Sequence, residues 1–314
     1  MNFPFYIARR YLFSKKKHNA INIISGISVC GVALATLALV CTLSVFNGFQ
    51  DMVASFFTAF DPQLKITVRE GKVFDAQDER IRAVCALPEV EVFTETLEEN
   101  AMVQYKDRQA MVVLKGVEDN FEELTAIDSI LYGAGEFVLH DSIVNYGVMG
   151  VELVATLGTG LEFVDPLQVY LPKRNAKVNM ANPGASFNRD YLYSPGVVFV
   201  VNQQEYDGKY ILTSLDFLRQ LLDYTTEVSA MELKLKSNVN TSSVQSKIEN
   251  ILGDDFVVQN RYQQQADIFR IMEIEKLISY LFLTFILMIA CFNVIGSLSM
   301  LILDKKDDVV ALRS

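Results

Sequence analysis

Two stretches decide the fold: INIISGISVCGVALATLALVCTLSVF, residues 21–46, and LISYLFLTFILMIACFNVIGSLSMLIL, residues 277–303. Neither contains a charged side chain, and they run for 26 and 27 residues. About 20 apolar residues in helical form cross the hydrocarbon core of a bilayer, so each stretch can span it with some tilt. A secretory signal has a shorter apolar core, roughly 7–15 residues, closed by a small-residue cleavage site. The first stretch shows no such site and runs on into SVFNGF. The expectation is therefore two transmembrane helices with everything else arranged around them.

The flanks set the orientation. Arg9, Arg10, Lys15, Lys16 and Lys17 put five positive charges and no acid into the first twenty residues, which marks that end as cytoplasmic. Two spans return the chain to the same side, so the segment DKKDDVVALRS, residues 304–314, is cytoplasmic too. The outer segment between the spans holds 20 Lys and Arg against 35 Asp and Glu, a balance of −15. Such acidity argues against nucleic acid or anionic lipid as its partner. Only Cys85 lies in the outer segment, so no internal disulfide is expected there and the hydrophobic core must hold the domain.

Along the chain, FPFYIARRYLFSKKK sets Phe3, Tyr6, Ile7 and Tyr11 at helical spacing beside basic residues, which suits an interfacial helix over residues 1–18. The first transmembrane helix is expected over 19–49. The outer part then shows one unit twice. QLKITVR alternates as a strand, Asp75 offers an N-cap to a helix carrying Ile81, Val84 and Cys85, and VEVFTETL reads as a second strand. Later MELKL alternates, NTSSVQSKIENILG places Val244, Ile248, Ile251 and Leu252 on one helical face with Gly253 as its stop, and DFVVQN closes as a strand. The two strand–helix–strand units, residues 50–118 and 227–262, are expected to pair into one α+β subdomain next to the membrane. Residues 119–226 form an inserted β-rich subdomain. Within the insert, LQVYLP and YLYSPGVVFVV read as strands, joined by a polar connection containing Asn182-Pro183-Gly184 that is too long for a tight hairpin. From 267 to 303 no proline interrupts the pattern; a continuous helix there runs ~55 Å at 1.5 Å per residue, of which the membrane takes ~30 Å. The rest, from 263, stands outside as a stalk.

No constellation for chemistry stands out. There is no phosphate-cradling glycine loop, no HExxH and no GxSxG, and His18 and His140 are far apart. The acid pairs Glu98-Glu99 and Asp254-Asp255 are read as solvated side chains in polar turns. No catalytic residue, metal or cofactor is assigned.

INIISGISVCGVALATLALVCTLSVFNGFQ resembles the first span of the lipoprotein-releasing (LolC/LolE-type) permeases of the MacB/FtsX superfamily of ABC transporters. ACFNVIGSLSMLILDKKDDVVALRS is similar to the second span and the segment after it in that family. The resemblance covers the whole chain, including an outer layout of a Porter-like subdomain split around a Sabre-like insert, and implies a four-span permease of which two spans are present. It implies an inner-membrane protein with its large domain in the periplasm and no covalent chemistry of its own. It also implies partners: a separate ABC ATPase subunit, a second permease subunit, lipoprotein cargo, membrane lipids and a periplasmic lipoprotein carrier, with no nucleic acid. In the family, ATP-driven closure pushes on a coupling segment, here Asp304, Lys305, Lys306, Asp307, Asp308, Val309, Leu312 and Arg313. Acyl chains enter at the outer end of the first span, here Leu43, Phe46, Asn47, Phe49 and Gln50. A hook-like loop that grips the carrier falls on Met180, Asn182, Pro183 and Gly184, though its sequence departs from the family's. Alternatives stay open: a superfamily member serving efflux or controlling a cell-wall hydrolase, or a two-span sensor with an outer ligand-binding domain.

Overall fold

The computed structural model describes residue 6 and residues 19–55, 60–174 and 186–304. The expected interfacial helix over 1–18 lies outside the described residues except for Tyr6. The chain divides into two compact units, Ser55–Ala266 and, together, Met1–Ala54 with Asp267–Ser314.

The second of these contains helix α1 (Asn19–Ser55) and, at the other end of the chain, the 39-residue helix α9 (Ala266–Asp304). Within them Gly26–Phe46 and Glu273–Met300 are long and apolar enough to cross a membrane. Their large side chains face outward: Leu34, Leu37, Val45, Phe285, Ile289 and Phe292 are all exposed. A core helix of a soluble protein would cover such residues, whereas a helix apolar all round calls for an apolar solvent. Two threonine hydroxyls bond within their own helix, Thr36 donating to the carbonyl of Val32 at 2.9 Å and Thr284 to that of Tyr280 at 2.8 Å, as suits a group with no water to bond.

The outer unit is α+β. From its start run β1 (Leu64–Val68), β2 (Phe74–Asp75), α2 (Glu79–Cys85), β3 (Val90–Tyr105) and β4 (Arg108–Val117). The inserted segment carries α3 (Phe121–Leu124), β5 (Leu131–Gly133), β6 (Val148–Met149), α4 (Val151–Leu157), β7 (Leu167–Pro172), β8 (Phe187–Leu192), β9 (Val197–Phe199), α5 (Gln204–Asp207), β10 (Tyr210–Ser214), α6 (Leu215–Leu222) and β11 (Glu227–Val228). The chain closes through β12 (Ala230–Leu235), α7 (Thr241–Leu252), β13 (Phe256–Asn260) and α8 (Arg261–Gln264).

The two repeated units interleave rather than stand side by side. A nine-stranded sheet runs β13-β1-β12-β3-β4-β10-β6, with β7 on a further stretch of β3 and β8 beyond it. The first four strands and helices α2 and α7 make a ferredoxin-like split βαβ arrangement, with Leu64, Ile66, Ile81, Val84, Leu233, Ile248 and Leu252 in its core. The sixteen-residue β3 then carries the ladder onward: β12 pairs with its first half, β7 with Met102–Gln104, and β4 along its other edge. Further out α4 and α6 pack on that same face, Leu218 of α6 sharing a core with Leu114, Val169 and Ile211 of the strands. The opposite face is covered by Phe60, Phe121, Ile127, Val148, Phe199 and Leu212.

Three local expectations change. The cap of α2 is Asp78, whose carboxylate accepts from the amide of Arg80 at 2.8 Å, not Asp75; Asp75 ends β2 and pairs with Glu227. The run YLYSPGVVFVV is two strands, because Pro195 and Gly196 break it between β8 and β9. The polar connection is shorter than expected, since β8 begins at Phe187 and pairs with β7 as an antiparallel hairpin. The other helix behaves as its sequence dictates: Asn240 accepts from Ser242 and Ser243 amides, and Gly253 takes φ 71° after the last turn.

At Gly150 an added methyl would meet the backbone of Asp207, with the Cα and carbonyl carbon each 2.6 Å away. Gly150→Ala must push α5 off α4, and the expected result is a loss of roughly 1–3 kcal/mol, read as a lower melting temperature of the outer unit.

Candidate functional site

The place where the outer unit's two ends meet is built from PheAspProGln at 60–63 and ArgTyrGlnGlnGln at 261–265. Pro62 has no amide to satisfy, and the carbonyls around it become acceptors for the far end of the sequence. Arg261 donates Nε to the carbonyl of Asp61 at 2.9 Å, Gln264 donates Nε2 to that of Pro62 at 3.1 Å, and Gln265 donates Nε2 to the Asp61 carboxylate at 3.1 Å. Asn260 and Gln263 form a capping box that fixes the turn of α8. Gln245 on α7 donates to the carbonyl of Val258 and to Gln263, at 2.9 and 2.8 Å, occupying part of the otherwise free edge of β13. The segments that continue into α1 and α9 are thus cross-tied within this unit.

Phe60, 4% exposed, seats its ring in an aromatic socket supplied by the insert. Its centroid lies 4.8 Å from Phe199, 4.9 Å from Tyr206 in a stacked arrangement, and 5.8 Å from Tyr210. The Tyr206 hydroxyl reaches back to the Asp61 carboxylate at 3.3 Å. Burial, Asp61 and other nearby groups push the Tyr206 phenol far up, and burial with Glu98 does the same to Tyr210; both stay protonated.

Behind the socket lies a chain of charges across four strands. Lys115 on β4 is buried and its ammonium stands 2.6 Å from Glu232 on β12 and 3.4 Å from Glu98 on β3, while Lys65 on β1 reaches Glu98 at 3.3 Å. The rings of Phe60 and Phe121 lie 5.8 and 5.7 Å from the same ammonium. Burial alone would lower the Lys115 pKa, yet Glu232 and Glu98 carry it above the usual lysine value. Burial likewise opposes the charge on Glu98, but Lys65 and Lys115 bring its carboxyl down to about 2. Glu98 is read from sequence as a solvated turn residue; the structure corrects this, since Glu98 lies mid-strand in β3, and it also buries Glu232 fully. Strand alternation marks one buried face, and only the covering of the second face by Phe60 and α3 buries these groups.

Of the residues proposed from sequence, Leu43 and Phe46 are half-buried on α1; Asn47, Phe49 and Gln50 are helical, and their side chains lie outside the described set. Asp304 is the last residue of α9, while Lys305, Lys306, Asp307, Asp308, Val309, Leu312 and Arg313 lie outside the described residues. So do Met180, Asn182, Pro183 and Gly184, of which the structure gives the stem: Pro172 pairs with Phe187, and the Lys173 amide donates to Ser186 at 2.9 Å. Sequence reading missed the root residues Phe60, Asp61, Arg261 and Gln264: the bonds of Arg261 and Gln264 reach about two hundred positions along the chain, and Phe60 meets rings about 140–150 positions away. The one available signal was a proline-containing polar break directly before β1.

An acidic α+β unit carried between two apolar helices, its ends cross-tied at one root, defines a membrane-anchored extracytoplasmic domain. Residues 25–251 match the family model of the MacB-like periplasmic core domain. The chain belongs to that family, as an ABC-transporter permease of the MacB/FtsX, LolC/LolE type. It is 23% identical over 322 residues to the lipoprotein-releasing system transmembrane protein LolE of Haemophilus influenzae, covering 100% of this chain and 74% of that one. With LolC of Neisseria meningitidis the identity is 24% over 318 residues, covering 98% and 73%. The periplasmic region of MacB from Actinobacillus actinomycetemcomitans is similar with a TM-score of 0.43 and 11% identity, over 65% of this chain and 91% of that one.

Two outcomes test the buried charges. Lys115→Ala leaves Glu232 charged and unpaired, so a loss of about 3–5 kcal/mol is expected, whereas Lys115→Met with Glu232→Met together costs less than the single change; chemical denaturation measures both. Glu98 has a folded pKa of about 2 against the ordinary 4.5, so its contribution is complete above pH 4.5 and fades as pH falls toward 2. Glu98→Gln is expected to flatten the acid limb of the melting-temperature profile over that window.

Proposed function

We propose that this permease extracts lipoproteins from the outer leaflet of the inner membrane by passing ATP-driven motion to its outer unit. The observation that carries the reading is similarity across essentially the whole chain to proteins named for lipoprotein release. In this reading a separate ATPase subunit pushes on residues 304–314, and α9, an unbroken helix of 39 residues and so about 58 Å long, delivers the displacement to the root at Asp61 and Arg261. A second permease subunit completes the path, acyl chains enter beside Leu43, Phe46, Asn47, Phe49 and Gln50, and the loop holding Met180, Asn182, Pro183 and Gly184 engages a periplasmic carrier. The chain itself supplies positioning and force rather than bond chemistry.

Co-purification of the full-length protein from native membranes tests this directly. The expected result is an ABC ATPase and acylated proteins in the complex, identified by mass spectrometry. Recovery of a cell-wall hydrolase, or of efflux partners without acylated protein, would sink the lipoprotein reading. Deleting residues 175–185 is expected to abolish carrier capture in a pull-down; undiminished capture removes the loop from the proposal.

A further inference from the structure

We propose that Phe60 is the joint through which displacement at the root enters the inserted segment. The inference rests on the mechanical reading above and names the contact that reading leaves undefined. Phe60 stands outside every strand, four positions before β1, and its ring is packed into the socket. Three of its ring neighbours, Phe199, Tyr206 and Tyr210, belong to the insert. Tyr206 is held twice, by stacking on Phe60 and by its hydroxyl on Asp61, so two consecutive root residues grip one side chain of α5. From α5 the contact continues. Asp207, 3% exposed, accepts from the Val201 amide at 2.9 Å, and its backbone lies flush against Gly150 at the start of α4. A closely packed series of this kind cannot absorb a shift by compression, so movement of residues 60–61 must displace α5 and then α4. The root bonds from Arg261 and Gln265 place the second helix's root on Asp61 as well.

Hydrogen exchange in the complex co-purified from membranes, with and without a non-hydrolysable ATP analogue, tests the joint. In the wild type, nucleotide is expected to change protection both in α7, on the ferredoxin-like half, and in the α5–β10 region of the insert. Phe60→Leu keeps an apolar side chain in the socket but loses the stack. It is expected to retain ATP hydrolysis, the outer unit's melting transition and the α7 response, while losing the response of α5–β10. Tyr206→Leu, which opens the socket from its other side, is expected to give the same split. A surviving α5–β10 response in both variants overturns the joint alone, as does loss of both regional responses together, which marks a merely structural role. A wild type with no nucleotide response anywhere overturns the proposed function and the joint with it.

Discussion

Lys115 carries its charge where water does not reach, in the middle of a nine-stranded sheet. Removing an ammonium from water costs several kcal/mol, which is repaid only if its counter-charges are close and well aimed. Glu232 and Glu98 provide that, but they come from β12 and β3, and Lys65 from β1 balances the second carboxylate. The arrangement therefore exists only when strands from both ends of the outer segment are in one register. A slip of one residue would turn Glu232 toward the apolar layer under α2 and α7, where it has no partner. The pair thus acts against wrong registers more than it adds net stability.

The same point in the sheet is where the chain arrives from its apolar helix. Phe60 lies over the Lys115 ammonium, the insert closes around Phe60, and the side chains of Arg261, Gln264 and Gln265 hold the next two residues. Burial of charge and anchoring of the root are consequently one problem with one solution. The aromatic socket keeps water from the ion pair, and the ion pair keeps the socket's floor in register. Under the proposed function this root has to pass on a displacement, and side chains bonded across it and packed around Phe60 resist deformation.

Much of the architecture was legible because it rests on local rules. Charge-free runs longer than a bilayer's thickness, alternation in LKITV and MELKL, and the Gly253 stop each depend on neighbours within a few positions. Where two local signals competed, the nearer residue won: Asp78, directly before Glu79, capped α2 in place of Asp75. Family likeness in the end segments supplied the candidate coupling and acyl-path residues, and likeness in the outer layout the carrier loop, but neither supplied the root.

What the sequence determined by itself was the pair of membrane-length helices, the acidic α+β segment between them and its repeated strand–helix–strand units, since periodicity and hydropathy are properties of short windows. Only the tertiary structure decided that the two units interleave, that β3 carries the sheet on into the insert, and that Glu232 and Lys115 meet in the dark of the second face. The physical reason is that a side chain's burial depends on what covers it. Here the cover is Phe60 and Phe121, brought to that face by strand order and not by any spacing along the chain.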